Sequence, residues 1–327
     1  MPILIACAIG LMLAAPDDRP TVLVVVGAEG TPEYGAEFRR WADLWVAAAS
    51  KGQAEMIRIG DATGEGPSDR DRLRDALAAK ASGGPGVLWL VLIGHGTFDG
   101  REAKFNLRGP DVSEADLAGW LDPIEAPVAV LNGSSASGPF LARLSAKGRV
   151  VVTATRTGNE QNFARLGQYL AEAIADPGAD LDKDGQVSLL EAFLKAGGRV
   201  EEFYKSRSRL ATEHALIDDN GDRLGTPAAW FRGVRATKRA KDGAELDGLR
   251  AHQLHLILGD RERTLSPAAR QRRDQLEQAA AALRAEKATL PEDEYYRRLE
   301  AIMVELARLY RDAVASTPAG EATAPDR

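Results

Sequence analysis

This chain is almost without thiols: 327 residues carry one cysteine, Cys7. Cys7 precedes every expected strand, so no disulfide framework staples the fold and no thiol stands at the end of a sheet strand. Histidine is scarce too, at four residues. His252 and His255 stand three apart on an expected helix, but no third ligand lies near them, so they do not make a zinc site. A basic excess is also missing. The net charge is −6, which argues against broad nucleic-acid binding. Long apolar runs are missing as well. The run Ile3–Ala15, thirteen residues, is too short to span a bilayer and suits the core of a secretory signal peptide. Residues 1–15 are therefore expected to be a leader, the mature protein to be periplasmic or secreted, and no membrane span to be present. Removing the leader removes Cys7.

What is present is a globular composition, 44% hydrophobic and 28% charged, long enough for one large or two ordinary domains. Apolar runs of strand length alternate with helical patterns. Strands are expected at Thr21–Val26, Glu55–Ile59, Val87–Ile93, Ala126–Leu131 and Arg149–Ala154. Helices are expected at Ala36–Ser50, Asp69–Ala81 with Ser68 as N-cap, Ser113–Leu121, Pro139–Ala146 and Asn162–Ala175. This alternation predicts an α/β fold, a mostly parallel sheet with helices on both faces. Val87–Ile93 has no polar break and reads as a strand buried on both sides. It stops at Gly94-His95-Gly96. In open α/β sheets ligands bind beyond the carboxyl ends of the strands, so His95 stands where chemistry is expected. The strand to Leu131 ends in Asn132-Gly133-Ser134-Ser135-Ala136-Ser137-Gly138.

These two strand ends resemble those of the caspase/legumain-like cysteine peptidases. In that family a strand ending in His-Gly is followed by a later strand ending in Ala-Cys-x-Ser-Gly. Here the second motif reads Ser134-Ser135-Ala136-Ser137-Gly138, so Ser135 stands where the family keeps its cysteine. The segment Phe105–Leu117 between them is also similar, and the resemblance runs from Thr21 to Arg232. It implies a catalytic role for His95, a nucleophile position at Ser135, and oxyanion donors at the backbone of Gly96 and Ser135. It implies a specificity pocket around Arg156 and Glu160, which read equally well as a surface ion pair. A thiol is partly ionised at neutral pH, whereas a serine hydroxyl needs a base in reach and a group to orient that base. The expectation is therefore a peptidase-inactive homologue that binds a peptide or protein segment in the groove. Two alternatives stay open. One is an active Ser135/His95-dependent hydrolase, peptidase or esterase. Gly133-Ser134-Ser135-Ala136-Ser137 departs from the G-x-S-x-G elbow at Ser137, and on that variant His214 would be the base and Asp176 the acid. The other is a scaffold that acts through a C-terminal helical hairpin.

The strongest motif lies at Asp180–Glu191. Carboxylates stand at positions 1, 3 and 5 (Asp180, Asp182, Asp184), and Gly185 at position 6 supplies the sharp turn. Gln186 offers its carbonyl at 7, Ser188 stands at 9, and Glu191 closes the loop at 12. Hard oxygen donors at this spacing wrap one calcium ion, so Ca2+ is the expected cofactor, in a structural role. Ala192–Arg199 is expected as the exit helix and Val200–Glu213 as a further charged helix. Asp218-Asp219-Asn220-Gly221-Asp222 starts in the same way. Arg223 then replaces the glycine and Ala229 the closing glutamate, so it is expected to be a structured acidic turn. The expected organisation is a caspase/legumain-like domain over 16–237, a linker over 238–247, a helical region with a hairpin over 248–316, and a disordered tail over 317–327. Ser266-Pro267 opens the first hairpin helix, and Leu299, Ile302, Met303, Leu306 and Leu309 form the apolar stripe of the second.

Overall fold

A computed structural model describes residues 18–61, 66–243 and 245–316. The expected leader, with Cys7, and the expected tail lie outside the described residues. Along the chain, β1 (Thr21–Val26) leads to α1 (Pro32–Lys51), β2 (Glu55–Ile59), α2 (Asp69–Ala81) and β3 (Leu88–Ile93). Three short strands follow, β4 (Gly96–Phe98), β5 (Ala103–Phe105) and β6 (Val112–Ser113), then α3 (Glu114–Leu121) and β7 (Val128–Asn132). Next come α4 (Gly138–Leu144), β8 (Arg149–Thr153), α5 (Leu166–Ala173), α6 (Leu189–Ser206) and β9 (Leu216–Asp218). A two-stranded hairpin, β10 (Phe231–Arg232) and β11 (Arg235–Ala236), precedes α7 (Leu249–Gln253), α8 (Asp260–Arg263), α9 (Pro267–Ala285) and α10 (Glu292–Ser316).

The main sheet runs in the order β2-β1-β3-β7-β8-β9. Its pairings are parallel from β2 to β8, and β9 joins antiparallel at the edge. The α/β expectation therefore holds. Every residue of β1, β3, β7 and β8 is buried, because helices cover both faces. On one face α1 presents Phe38, Trp41, Trp45 and Ala48, at helical spacing, to a core shared with α5 and α6. On the other, Leu73 and Leu77 of α2, Leu117 and Leu121 of α3, and Phe140 and Leu144 of α4 form a second core. Burying each such Leu or Phe contributes about 1.5–3 kcal/mol. The cap at Ser68 is as read from the sequence: Ser68 accepts the Asp71 N–H. Ser113, expected as the first residue of a helix, caps it instead and forms a reciprocal capping box with Asp116.

Three expectations change. The exit helix does not end at Arg199 and restart: α6 is one helix to Ser206. Residues after it are held irregular by Glu213, which is buried and accepts the N–H groups of Arg165 and Leu166 at the start of α5. Burial raises the Glu213 pKa, against the pull of those N–H groups. β9, too short to show a period, was not foreseen. His255 lies beyond α7, in extended chain that forms an antiparallel bridge with Ser188. It does not share a helix with His252. Ala251 and Leu256 are fully buried in the core with α6.

Candidate functional site

The parallel register places the ends of β3 and β7 side by side, with Leu92 opposite Asn132. The chain after β7 turns through a buried polar layer. Asn132 Oδ1 accepts both the N–H and the hydroxyl of Ser134, at 3.1 and 2.6 Å. Ser137 Oγ accepts the Thr155 N–H, and Thr155 Oγ1 accepts the Gly138 N–H. Ser134, Ser135 and Ser137 are all buried. Ala136 takes a left-handed φ of 54°, uncommon for a residue with a Cβ, and its N–H is fixed by the Glu160 carbonyl at 2.9 Å.

The structure brings Ser135 to Gly96. Ser135 Oγ accepts the Gly96 N–H at 3.2 Å and donates to the Gly96 carbonyl at 3.2 Å. Only glycine fits at 96: a Cβ there would lie 2.2 Å from the Ser135 carbonyl oxygen. His95 packs elsewhere. Its ring meets Tyr34 edge-on at 4.9 Å and Phe38 at 5.2 Å between centroids, and no hydrogen bond joins it to Ser135. Burial pushes the His95 pKa down, with the Glu29 backbone pulling the other way. That burial favours the neutral imidazole.

Arg156 and Glu160 do not form an ion pair with each other. The Glu160 carboxylate accepts the backbone N–H of exposed Arg156 at 2.9 Å and bonds His214 Nδ1 at 2.8 Å and the His214 N–H at 3.1 Å. Asp176 is not the acid for His214. It caps a single turn at Pro177–Ala179 by accepting the Gly178 N–H. The carboxylate that meets His214 is that of Glu160. Both Asp176 and Glu160 lie between Ser135 and His214 in sequence, and nothing local to either residue says which one meets a histidine 54 positions after Glu160.

The loop at 180–191 has the donor chemistry for calcium. Oxygens of Asp180, Asp182 and Asp184 lie within 4.8 Å of one another. Gly185 has φ of 92°, the left-handed conformation in which a side chain is strained. The Asp180 carboxylate accepts the N–H groups of Lys183 and Gly185, Asp182 that of Asp184, and Asp184 that of Gln186. The Gln186 side chain also donates to Asp184 at 3.0 Å. Glu191 is buried and forms a capping box with Ser188 at the start of α6. Its other oxygen accepts the Leu181 N–H at 2.7 Å. All side-chain donors are hard oxygens aimed by backbone N–H groups, so the residues fit the ion.

Comparison with known proteins adds three distant likenesses. No family model matches the chain, and no curated protein matches it. The chain is similar to the crystal structure of the Drosophila initiator caspase Dronc, at 15% identity and a TM-score of 0.43 over 63% of this chain and 82% of that one. Caspase-1 from Spodoptera frugiperda is similar at 8% identity and a TM-score of 0.39, over 63% of this chain and 88% of that one. Raptor from Chaetomium thermophilum is similar at 13% identity and a TM-score of 0.33, over 93% of this chain and 26% of that one.

The acidic turn at Asp218 has the conformation of the loop at Asp180. Asp218 accepts the N–H groups of Gly221 and Arg223, Asn220 that of Asp222, and Asp222 that of Leu224. Arg223 adopts a φ of 71°, where the first loop has Gly185. The absent closing glutamate is replaced from a distance by Asp247. Its Oδ1 accepts the N–H groups of Asp219 and Asn220, and its Oδ2 the Thr226 hydroxyl at 2.6 Å. Glu191 makes the corresponding bonds to Leu181, Asp182 and Ser188. Burial pushes Asp247 up to about 8, and the charges of Asp219 and Asp218 add to the rise. No local pattern in the sequence announces Asp247, which lies 28 positions after Asp219.

Proposed function

We propose that this chain is a calcium-binding, caspase/legumain-like protein that holds a peptide or protein segment at the carboxyl ends of β3 and β7 without cutting it. The observation that carries the reading is the bonding of Ser135. Its hydroxyl is engaged by both polar groups of Gly96, while His95 is packed among aromatic rings. A serine nucleophile needs a base in hydrogen-bond reach and N–H groups free to receive the developing oxyanion. Here the Gly96 N–H already faces the hydroxyl. The test is cleavage of a mixed peptide library, with calcium, by the natural chain and by Ser135→Cys. The expected result is silence from the natural chain, cutting by the cysteine form, and peptide binding unchanged in Ser135→Ala. Cutting by the natural chain that Ser135→Ala stops overturns the reading.

That overturning result would establish the second reading, a serine hydrolase. One observation favours it. The His214–Glu160 pair has the histidine–acid geometry that a hydroxyl nucleophile requires, and the Glu160 carbonyl is tied to Ala136, next to Ser135. It predicts turnover lost in Ser135→Ala and lowered strongly in Glu160→Gln.

Calcium is the proposed cofactor, held by the side chains of Asp180, Asp182, Asp184 and Glu191 and the Gln186 carbonyl, with Ser188 at the ninth position. In a periplasmic or extracellular setting, the one proposed for this chain, ambient calcium fills even weak loops of this kind.

A further inference from the structure

The segment Asp247–Gly259 runs as a strap between the loop at Asp180 and the C-terminal hairpin; its start is tied to the acidic turn through Asp247 and through the Gly248 and Ala251 N–H groups, which donate to Asp219, and its remaining polar contacts fall into two sets. Toward the hairpin, Gln253 donates to the Asp274 carbonyl at 3.1 Å and to Glu277 at 2.9 Å, and Gln278 donates to Gln253 at 3.0 Å. Toward the loop, the Leu189 N–H donates to the Leu254 carbonyl at 2.8 Å, inside the antiparallel bridge between Ser188 and His255. The Gly259 N–H donates to Gln186 Oε1 at 3.1 Å. His252 Nε2 meets Asp182 Oδ2 at 3.0 Å. Each loop-side contact falls on the loop or at the start of the exit helix.

These contacts act on the groups that would bind the ion. Three carboxylates within 4.8 Å repel one another, and the repulsion spreads them unless something fixes their rotamers. Asp182 Oδ1 is fixed by the Asp184 N–H. Its second oxygen is fixed through His252, the one side chain outside the loop that, among the described residues, bonds a carboxylate at positions 1, 3 or 5. A neutral imidazole donating one N–H to a carboxylate oxygen leaves lone pairs on that oxygen for a cation. His255 Nε2 is buried beside the loop without a partner, so the bridge is kept at a polar cost.

We infer that the strap completes the calcium loop, with Leu254–His255 as its pairing strand and His252 as the residue that positions Asp182, so that calcium binding and docking of the strap are one coupled equilibrium. The inference rests on the calcium reading above and goes beyond it. By linkage, whatever factor the docked strap adds to calcium affinity, calcium adds to docking of the strap. Outer-shell partners of metal ligands are typically worth 10–100-fold in affinity. Glutamine can return the lost N–H donor at position 252, and leucine cannot.

The test is calorimetric titration of the full chain with calcium chloride, for the natural protein, His252→Gln and His252→Leu. Amide hydrogen exchange of residues 247–259 is followed with calcium and with a chelator. The expected result is a loss of about tenfold or more in affinity for His252→Leu, largely restored in His252→Gln, and exchange across 247–259 that slows on adding calcium. Equal affinity in all three proteins, or an equal loss in both variants, overturns the positioning role. Calcium binding with unchanged exchange in the strap overturns the coupling and leaves the calcium reading standing. Absence of calcium binding by the natural chain overturns the calcium reading and the inference with it.

Discussion

Replacing Ser135 by alanine strips two hydrogen bonds from the Gly96 peptide, whose N–H is then buried with no acceptor. A buried backbone donor left unsatisfied costs about 1–3 kcal/mol. Ser135→Ala is therefore expected to lower the stability read from urea unfolding by about that much, whatever it does to ligand binding. An unchanged midpoint would mean that the Ser135 hydroxyl does not hold the two strand ends together. Asp247 is the other residue whose surroundings make a prediction. Its pKa is raised to about 8, against about 4 in an unfolded chain. A carboxyl raised on folding contributes stability that is full below its unfolded pKa and is lost as pH rises through the folded one. In calcium-free buffer the natural protein should thus lose stability between pH 4 and 8, at up to about 1.4 kcal/mol per unit. Asp247→Asn keeps an acceptor for the Asp219 N–H and should flatten that slope, gaining over the natural chain at pH 8 and not at pH 4. Parallel slopes for the two proteins would contradict this account of the turn.

At the scale of elements, Glu191 serves two structures at once. It caps α6 through Ser188 and closes the loop through the Leu181 N–H. Glu191→Gln should cost about 1 kcal/mol without calcium, the usual worth of a cap. It should also remove the calcium-dependent stabilisation, which for a ligand at a hundred times its Kd is about 2.7 kcal/mol and is read as a rise in melting temperature. Thermal melts with calcium and with a chelator separate the two effects, and a calcium-dependent shift that survives in the variant refutes the assignment of Glu191. The same elements explain what was legible in the sequence. β1, β3, β7 and β8 are buried on both faces and so read as unbroken apolar runs. The conformation at Gly185 is legible because a left-handed turn selects for glycine. Arg223 shows the limit of that logic, since the fold imposes the same conformation on a residue that does not favour it. β9, the strap, the Glu160–His214 pair and Asp247 were illegible for one shared reason. Each is defined by a partner far along the chain, and nothing in its own few residues carries a period or a turn signal.

At the scale of the molecule, the question is whether the hairpin belongs to the body that carries the strand-end site or hangs free as a scaffold arm. Besides the Gln253 bonds to α9, the contact holds one buried cation. Arg273 of α9 meets Glu262 of α8 at 2.6 Å, with side chains 7% and 6% exposed, and Asp274 shares the guanidinium at 2.7 Å. Leu276, Ala280 and Leu283 of α9 and Tyr295 of α10 are buried around the hairpin seam. Burial raises the Glu262 pKa, and the Arg273 charge draws it back. Removing one partner of such a pair strands a buried charge and costs about 3–5 kcal/mol, whereas replacing both by apolar residues is often neutral. Arg273→Met should therefore destabilise docking of the hairpin by about 3 kcal/mol. The double variant Arg273→Met with Glu262→Leu should recover most of that loss. Calorimetric unfolding of the three proteins decides it. A docked hairpin gives the large loss and the recovery, while a hairpin that swings free gives single and double variants indistinguishable from the natural chain. Only in that second case would the exposed apolar side chains of α10, Tyr296, Met303 and Val304, belong to an arm that acts apart from the strand-end site.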